Sequence, residues 1–192
     1  MGVAVLRSLR VAVLVALVAV AWVPLPAAEF TQAPDLEYQD LKGAKVRIDF
    51  KAKPLTLVNF WAVWCLPCHE EMPQISQLSE KYKDAGFQAI GIAVESGGPP
   101  DVEGFLKKTP QLKVSYPILV GGPEALEKFG EVMMVPTTYL LNSEGKILET
   151  YMGVTHDFYA EISSAVMKHL PPAAPEKKKA PSPDQGDRKP KS

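Results

Sequence analysis

An apolar run that leads directly into the chain's only two cysteines constrains this sequence more than any other feature. Leu55-Thr56-Leu57-Val58-Asn59-Phe60-Trp61 is short, continuous and bulky, the pattern of a strand buried on both faces. Trp64-Cys65-Leu66-Pro67-Cys68-His69 follows at once. Met72, Ile75, Leu78 and Tyr82 then recur at helical spacing, and Gly86 marks the stop. The cysteine pair therefore falls at a strand-to-helix junction. Unpaired backbone N–H groups at such a helix start can activate an exposed thiol. The same letters also spell Cys-x-x-Cys-His, the haem-attachment signature of c-type cytochromes, in which His69 would be an axial ligand. Two chemistries are open at this point.

The remaining pattern describes what surrounds the junction. Leu36 to Phe50 alternates loosely around Lys42-Gly43 and reads as a leading hairpin. Phe87 to Val94 is a second continuous apolar strand, and Ser96-Gly97-Gly98-Pro99-Pro100 a loop. Asp101 is expected to cap a short helix carrying Val102, Phe105 and Leu106. Tyr116 to Val120 reads as a third strand and Glu124 to Phe129 as a short helix. Thr137 to Leu141 and Lys146 to Tyr151 flank the turn Asn142-Ser143-Glu144-Gly145, and a last helix spans His156 to Leu170. Strands alternating with helices, then a hairpin and a closing helix, give an α/β fold. Its central mixed sheet is flanked by helices and preceded by an N-terminal hairpin extension.

Composition settles where such a chain is expected to work. The formal net charge of −1 over 192 residues hides an asymmetry. Pro171 to Ser192 carries six Lys/Arg against three Asp/Glu, and Arg7 and Arg10 add two more positive charges, so the stretch from Glu29 to Leu170 is acidic. An acidic body excludes the basic face that nucleic-acid binding requires. Arg7 and Arg10, the uncharged apolar run from Val11 to Val23, and Pro24-Leu25-Pro26-Ala27-Ala28 have the layout of a secretory signal. Residues 1–28 are thus expected to be a signal peptide or an uncleaved N-terminal membrane anchor. Residues 29–170 are the folded domain. Residues 171–192, with six prolines and no aromatic residue, are a disordered Lys/Pro-rich tail. The expected location is the periplasm or cell envelope. There, two closely spaced cysteines read as one disulfide. So small a ring stabilises a fold by only roughly 2 kcal/mol, which suits a bond that is made and broken better than a staple.

Two segments carry a resemblance to a known family. Val58-Asn59-Phe60-Trp61-Ala62-Val63-Trp64-Cys65-Leu66-Pro67-Cys68-His69-Glu70-Glu71-Met72-Pro73 resembles the active-site segment of the TlpA/ResA/DsbE-like branch of thioredoxin-like proteins. Val135-Pro136-Thr137-Thr138-Tyr139-Leu140-Leu141-Asn142-Ser143-Glu144-Gly145-Lys146-Ile147 is similar to that family's cis-proline loop, strand and turn. The resemblance extends over about Leu36 to Leu170 and implies a thiol-disulfide oxidoreductase that needs no cofactor beyond its own redox-active disulfide.

The resemblance also implies roles. Cys65 would be the nucleophile and Cys68 the resolving thiol, with Leu66-Pro67 between them helping to set the potential. Glu71 would tune the pair and move protons, or else only favour the helix start. Asn59 stands where thioredoxin itself has a buried aspartate, which raises the importance of Glu71. Pro136 would be the cis-proline, with the backbone of Val135 pairing to a substrate strand. Trp64 would offer apolar contact, Trp61 would belong to the core, and His69 would sit at the surface. Expected partners are protein disulfides, among them apocytochrome c or a copper-centre assembly factor, and a membrane dithiol electron donor. The protein is expected to act as a monomer. Met133-Met134 leave a second reading open, that of a Cu(I) carrier using soft thiolate and thioether ligands; otherwise they line an apolar groove.

Overall fold

The computed structural model describes residues 31–35, 37–130 and 132–171; the expected export segment and nearly all of the Lys/Pro-rich tail lie outside them. Two short strands, β1 (Glu37–Asp40) and β2 (Lys45–Arg47), form the leading hairpin. Its turn is closed by the Asp40 carboxylate, which accepts from the N–H groups of Lys42 and Ala44, and by Gly43 in the left-handed region at φ +82. The hairpin does not stand apart from the body. β1 pairs with a later strand of the main sheet, Gln39 opposite Val120, so the extension is sewn into the sheet.

Strand β3 (Leu55–Trp61) is buried along its whole length. It feeds helix α1 (Leu66–Tyr82), which a turn of 3-10 helix and Gly86, at φ +96, bring to an end. β4 (Phe87–Ala93) lies parallel to β3 in strict register, Leu55 opposite Phe87 through Trp61 opposite Ala93. Helix α2 (Pro99–Lys108) starts two residues before the expected Asp101. Pro99 and Pro100 lack the N–H groups that a first turn leaves unpaired anyway, so they open the helix, and the Asp101 carboxylate reaches back to the Gly98 N–H at 2.9 Å. β5 (Ile118–Val120) begins only after Pro117, which has no N–H to give a ladder; Tyr116 is left outside the strand. Helix α3 (Pro123–Lys128), the antiparallel strands β6 (Thr137–Asn142) and β7 (Ile147–Met152), and helix α4 (Phe158–His169) complete the fold.

The result is one mixed sheet of order β2-β1-β5-β4-β3-β6-β7. On one face, Leu55, Leu57 and Trp61 pack with Met72, Ile75 and Leu78 of α1 and with Phe158, Ile162 and Val166 of α4. The two helices are tied by a 2.8 Å hydrogen bond between Tyr82 Oη and Ser163 Oγ. Residues of opposite parity in β3 meet an aromatic group on the other face. There Phe60 lies 5.0 Å from the Phe129 ring and 6.1 Å from the Tyr139 ring, and Tyr139 Oη donates to the Phe129 carbonyl.

Gly91 of β4 is where this packing is tightest. A Cβ there would meet Ile118 Cδ1 at 2.6 Å, Tyr116 Cε2 at 3.1 Å and Trp61 Nε1 at 3.2 Å. Gly91→Ala is therefore expected to destabilise the protein by about 1–3 kcal/mol through overpacking. Urea unfolding checks it: the midpoint should fall with the slope unchanged.

Candidate active site

Cys65 ends the chain's exit from β3 and caps α1. Its backbone is extended (φ −88, ψ 97), its N–H donates to the Ala62 carbonyl at 3.0 Å, and its sulfur accepts from the Cys68 N–H at 3.3 Å. Pro67 has no N–H to offer, so the donor that reaches the Cys65 sulfur comes from the third residue of the helix. Cys65 and Cys68 are joined as a disulfide with their Cα atoms 5.3 Å apart. The pair is almost buried, at 3% and 1% exposure, so a reacting partner must seat closely against its surroundings.

Two neighbouring segments define those surroundings. The loop after β4 straps the approach to the cysteines: the Val63 N–H donates to Ser96 Oγ at 3.0 Å, and that hydroxyl donates to the Val94 carbonyl at 2.7 Å. Glu95, in the left-handed region at φ +47, turns its carbonyl to accept from Trp64 Nε1 at 3.2 Å. Trp64 itself is exposed. The second segment precedes β6, where the Val135–Pro136 peptide is cis. Antiparallel pairing of Phe60 with Thr137 sets Pro136 beside the end of β3 from which Cys65 departs. This loop is held by Thr137 Oγ1 donating to the Met134 carbonyl and by the Gly153 N–H donating to the Pro136 carbonyl, both at 2.8 Å. Val135 is half-buried, whereas Met133 and Met134 are exposed. Among the described residues, the exposed large apolar side chains other than Met167 are Trp64 and Leu66 at the junction, Met133 and Met134 before β6, and Met152 and Val154 where β7 ends opposite the start of β6. No group of three or more His, Cys, Asp or Glu that could hold a metal occurs among the described residues.

Glu71 lies one helical turn beyond Cys68 and is buried, at 5% exposure. Removal from water disfavours the carboxylate and pushes its pKa up to about 8, opposed only in part by a hydrogen bond from the Asn59 side chain. Asn59 in turn donates through Nδ2 to Thr138 Oγ1 at 2.9 Å. Trp61 is fully buried, as expected. His69 departs from expectation. Its ring lies 5.1 Å from Phe105 of α2, and its Nε2 is buried rather than facing solvent. The cause is α2, which folds over the first turn of α1, a tertiary contact that local pattern does not carry.

A disulfide at a strand-to-helix junction, on the same sheet edge as a cis-proline loop, is the frame on which thioredoxin-like proteins carry out thiol–disulfide exchange. Comparison with known proteins agrees. The Redoxin family model matches residues 26–166, and the chain belongs to that family. It is 34% identical over 124 residues to the thiol-disulfide oxidoreductase ResA of Bacillus thuringiensis, covering 64% of this chain and 68% of that one. It is 33% identical over 127 residues to the thioredoxin-like protein YneN of Bacillus subtilis, covering 65% and 72%. Among solved structures, a putative thiol:disulfide interchange protein DsbE from Chlorobium tepidum superposes with a TM-score of 0.64 at 25% identity, over 73% of this chain and 96% of that one. The protein is thus a protein thiol-disulfide oxidoreductase of the TlpA/ResA/DsbE-like branch, working on its own cysteine pair without a cofactor. That decides the Cys-x-x-Cys-His ambiguity in favour of dithiol chemistry.

Sequence reasoning passed over Glu95 and Ser96. Their loop reads as Gly/Pro-rich punctuation, and the one available signal is a serine directly after a core strand, where its hydroxyl can bond back to the backbone.

The burial of Glu71 has a sign that can be measured. Its folded pKa lies above its ordinary value of 4.5, so the folded state keeps a proton that the unfolded chain releases. Its contribution to stability is full below pH 4.5 and is lost as the pH rises towards 8, with a slope of up to about 1.4 kcal/mol per pH unit. Glu71→Gln is expected to flatten that slope. Urea midpoints of the oxidised protein across this window check it, and equal slopes in the two proteins would contradict the burial.

Proposed function

We propose that this chain is an exported reductase of specific protein disulfides. Cys65 is its attacking thiol, Cys68 its resolving thiol and Glu71 its proton acceptor. The observation that carries this reading is Glu71: a carboxylate buried one turn from Cys68, with its pKa raised to about 8, is poised to take and return protons near neutral pH. In the reduced protein, the helix start favours the Cys65 thiolate. The thiolate attacks a target disulfide, forming a Cys65–target mixed disulfide and expelling one target thiolate. Cys68 gives its proton towards Glu71 and attacks the Cys65 sulfur. The second target thiolate leaves, and the Cys65–Cys68 disulfide remains. A membrane dithiol donor returns the two electrons.

The surroundings supply binding. The Val135 backbone beside Pro136 is suited to pairing with an extended substrate segment, and Trp64 to covering its apolar side chains. Residues 29–170 would carry this activity, 1–28 would direct export or tether the protein, and 171–192 would remain a solvated tail. The charged start and apolar run at the N-terminus support an envelope location, as does the lack of any further cysteine. Among the described residues no helix is long and apolar enough to cross a membrane. By resemblance, the targets are the haem-binding cysteines of apocytochrome c or the cysteines of a copper-centre assembly factor. A copper-carrier reading has one observation in its favour, the exposure of Met133 and Met134.

Cys68→Ser separates these readings. The variant should accumulate mixed disulfides through Cys65 with envelope proteins bearing paired cysteines, and Cys65→Ser should accumulate none. A Cys68→Ser protein that traps nothing, beside a reduced wild-type protein that takes up Cu(I) and loses it on replacing Met133 and Met134, would overturn the reductase assignment.

A further inference from the structure

Beyond Trp61 and Ala93, the last paired residues of β3 and β4, the two chains remain tied. The Val94 N–H donates to the Trp61 carbonyl at 2.9 Å, and the Val63 N–H to Ser96 Oγ at 3.0 Å. Ser96 Oγ donates to the Val94 carbonyl at 2.7 Å, and Trp64 Nε1 to the Glu95 carbonyl at 3.2 Å. The loop reaches these partners by an uncommon path. Glu95, at φ +47, and Gly97, at φ +77, are both left-handed, and Ser96 between them is turned inward and buried. Glycine adopts that conformation freely, whereas the Cβ of a glutamate crowds the backbone there. Gly97 has no alternative: a Cβ on it would meet Asp101 Oδ2 at 2.5 Å, and that oxygen accepts from the Gly98 N–H. The loop is thus fastened to the first turn of α2 on one side and to the exit from β3 on the other. A disfavoured residue kept in such a loop beside a reactive centre points to a role there. The role lies at Val63 and Trp64, which have left the strand and have not entered the helix, so neither ladder holds them.

We propose that Glu95 and Ser96 are positioning residues that set a preference of this protein for polypeptide over small disulfides. The Glu95 carbonyl fixes the Trp64 indole next to the Cys65–Cys68 disulfide, and the Ser96 hydroxyl fixes the backbone that carries the indole. This rests on the reading of Trp64 as a substrate contact. A wall held in place before the substrate arrives need not be ordered at the moment of binding. A polypeptide lying across the junction gains from that, because its apolar side chains meet an indole already oriented. A small disulfide has no such side chains and gains nothing. Neither Glu95 nor Ser96 takes part in the bond exchange; both act through Trp64.

The test pairs Glu95→Val with Glu95→Asn. Both remove the carboxylate, so its charge cancels from the comparison. Asparagine accepts the left-handed region and a β-branched residue does not, so valine should turn the carbonyl away from the indole and asparagine should keep it there. Ser96→Ala removes the hydroxyl directly. Two readouts are followed on the whole chain in its reduced form, with oxidised protein used for the first: hydrogen exchange of the Trp64 indole N–H by NMR, and the ratio of kcat/KM for a disulfide-bonded peptide with apolar flanking residues to that for hydroxyethyl disulfide. A variant that merely folds less well lowers both rates and leaves their ratio in place. Glu95→Val and Ser96→Ala should speed the exchange and lower the ratio by roughly 2- to 12-fold, the worth of one hydrogen bond. Glu95→Asn should match the wild type in both. In a Trp64→Phe background, which has no indole N–H, Glu95→Val should change the ratio no further. Unaltered indole exchange in Glu95→Val would show that the carbonyl does not hold Trp64. Faster exchange with the wild-type ratio would show that the hold has no bearing on substrate choice. Either result overturns the positioning role and leaves Trp64 as a substrate contact if Trp64→Ala lowers the ratio. A Trp64→Ala protein with the wild-type ratio would overturn that contact as well.

Discussion

All seven residues of β3 are buried, so both faces of the sheet must be covered and the chain leaving the strand must enter a covering helix. That requirement places Cys65 where β3 stops and α1 starts. The sulfur is held there by its bond to Cys68 and by the backbone N–H of that same residue. Of the strand's neighbours, β4 ends and the antiparallel β6 begins at the same edge. The loop carrying Ser96 and the loop carrying Pro136 arrive beside the disulfide because β3 pairs with the strands that bear them.

The same burial gives the site its proton chemistry. A carboxylate brought under a covered sheet cannot keep its ordinary pKa, and Glu71 is brought there by its place on the buried face of α1, beside Met72 and Ile75. Ionised and unpaired, it would cost several kcal/mol; protonated, it costs far less. The fold therefore holds a weak acid close to the resolving cysteine by geometry alone. Asn59, one strand away, moderates this without adding a second charge.

Much of this was legible in the sequence, and the failures have physical reasons. The junction, the helix and the parallel strand β4 follow from apolar runs and helical spacing, which are local signals. Pro117 trimmed β5, and Pro99 moved the start of α2, because proline's missing N–H acts on hydrogen-bond ladders that periodicity does not represent. His69 was misplaced because α2 covers it, and nothing near residue 69 announces a helix thirty residues later. Glu95 and Ser96 were invisible because their work is done by backbone and hydroxyl groups in a loop.

The attachment of the hairpin has a consequence for how such a protein meets other chains. An oxidoreductase of this kind brings foreign polypeptide against itself at every turnover, and an open sheet edge would hold that polypeptide along a ladder of backbone hydrogen bonds. One edge here ends in β2, only three residues long, with Lys45 and Arg47 tied to Glu37 and Asp35. The other ends in β7, whose pairing with β6 is broken by a bulge at Leu140/Leu141 and whose start is occupied by the Thr31 carbonyl. Both margins discourage lingering adhesion. A visiting chain finds no long open ladder at either margin, so its hold on the protein is confined to the short stretch beside the cysteines.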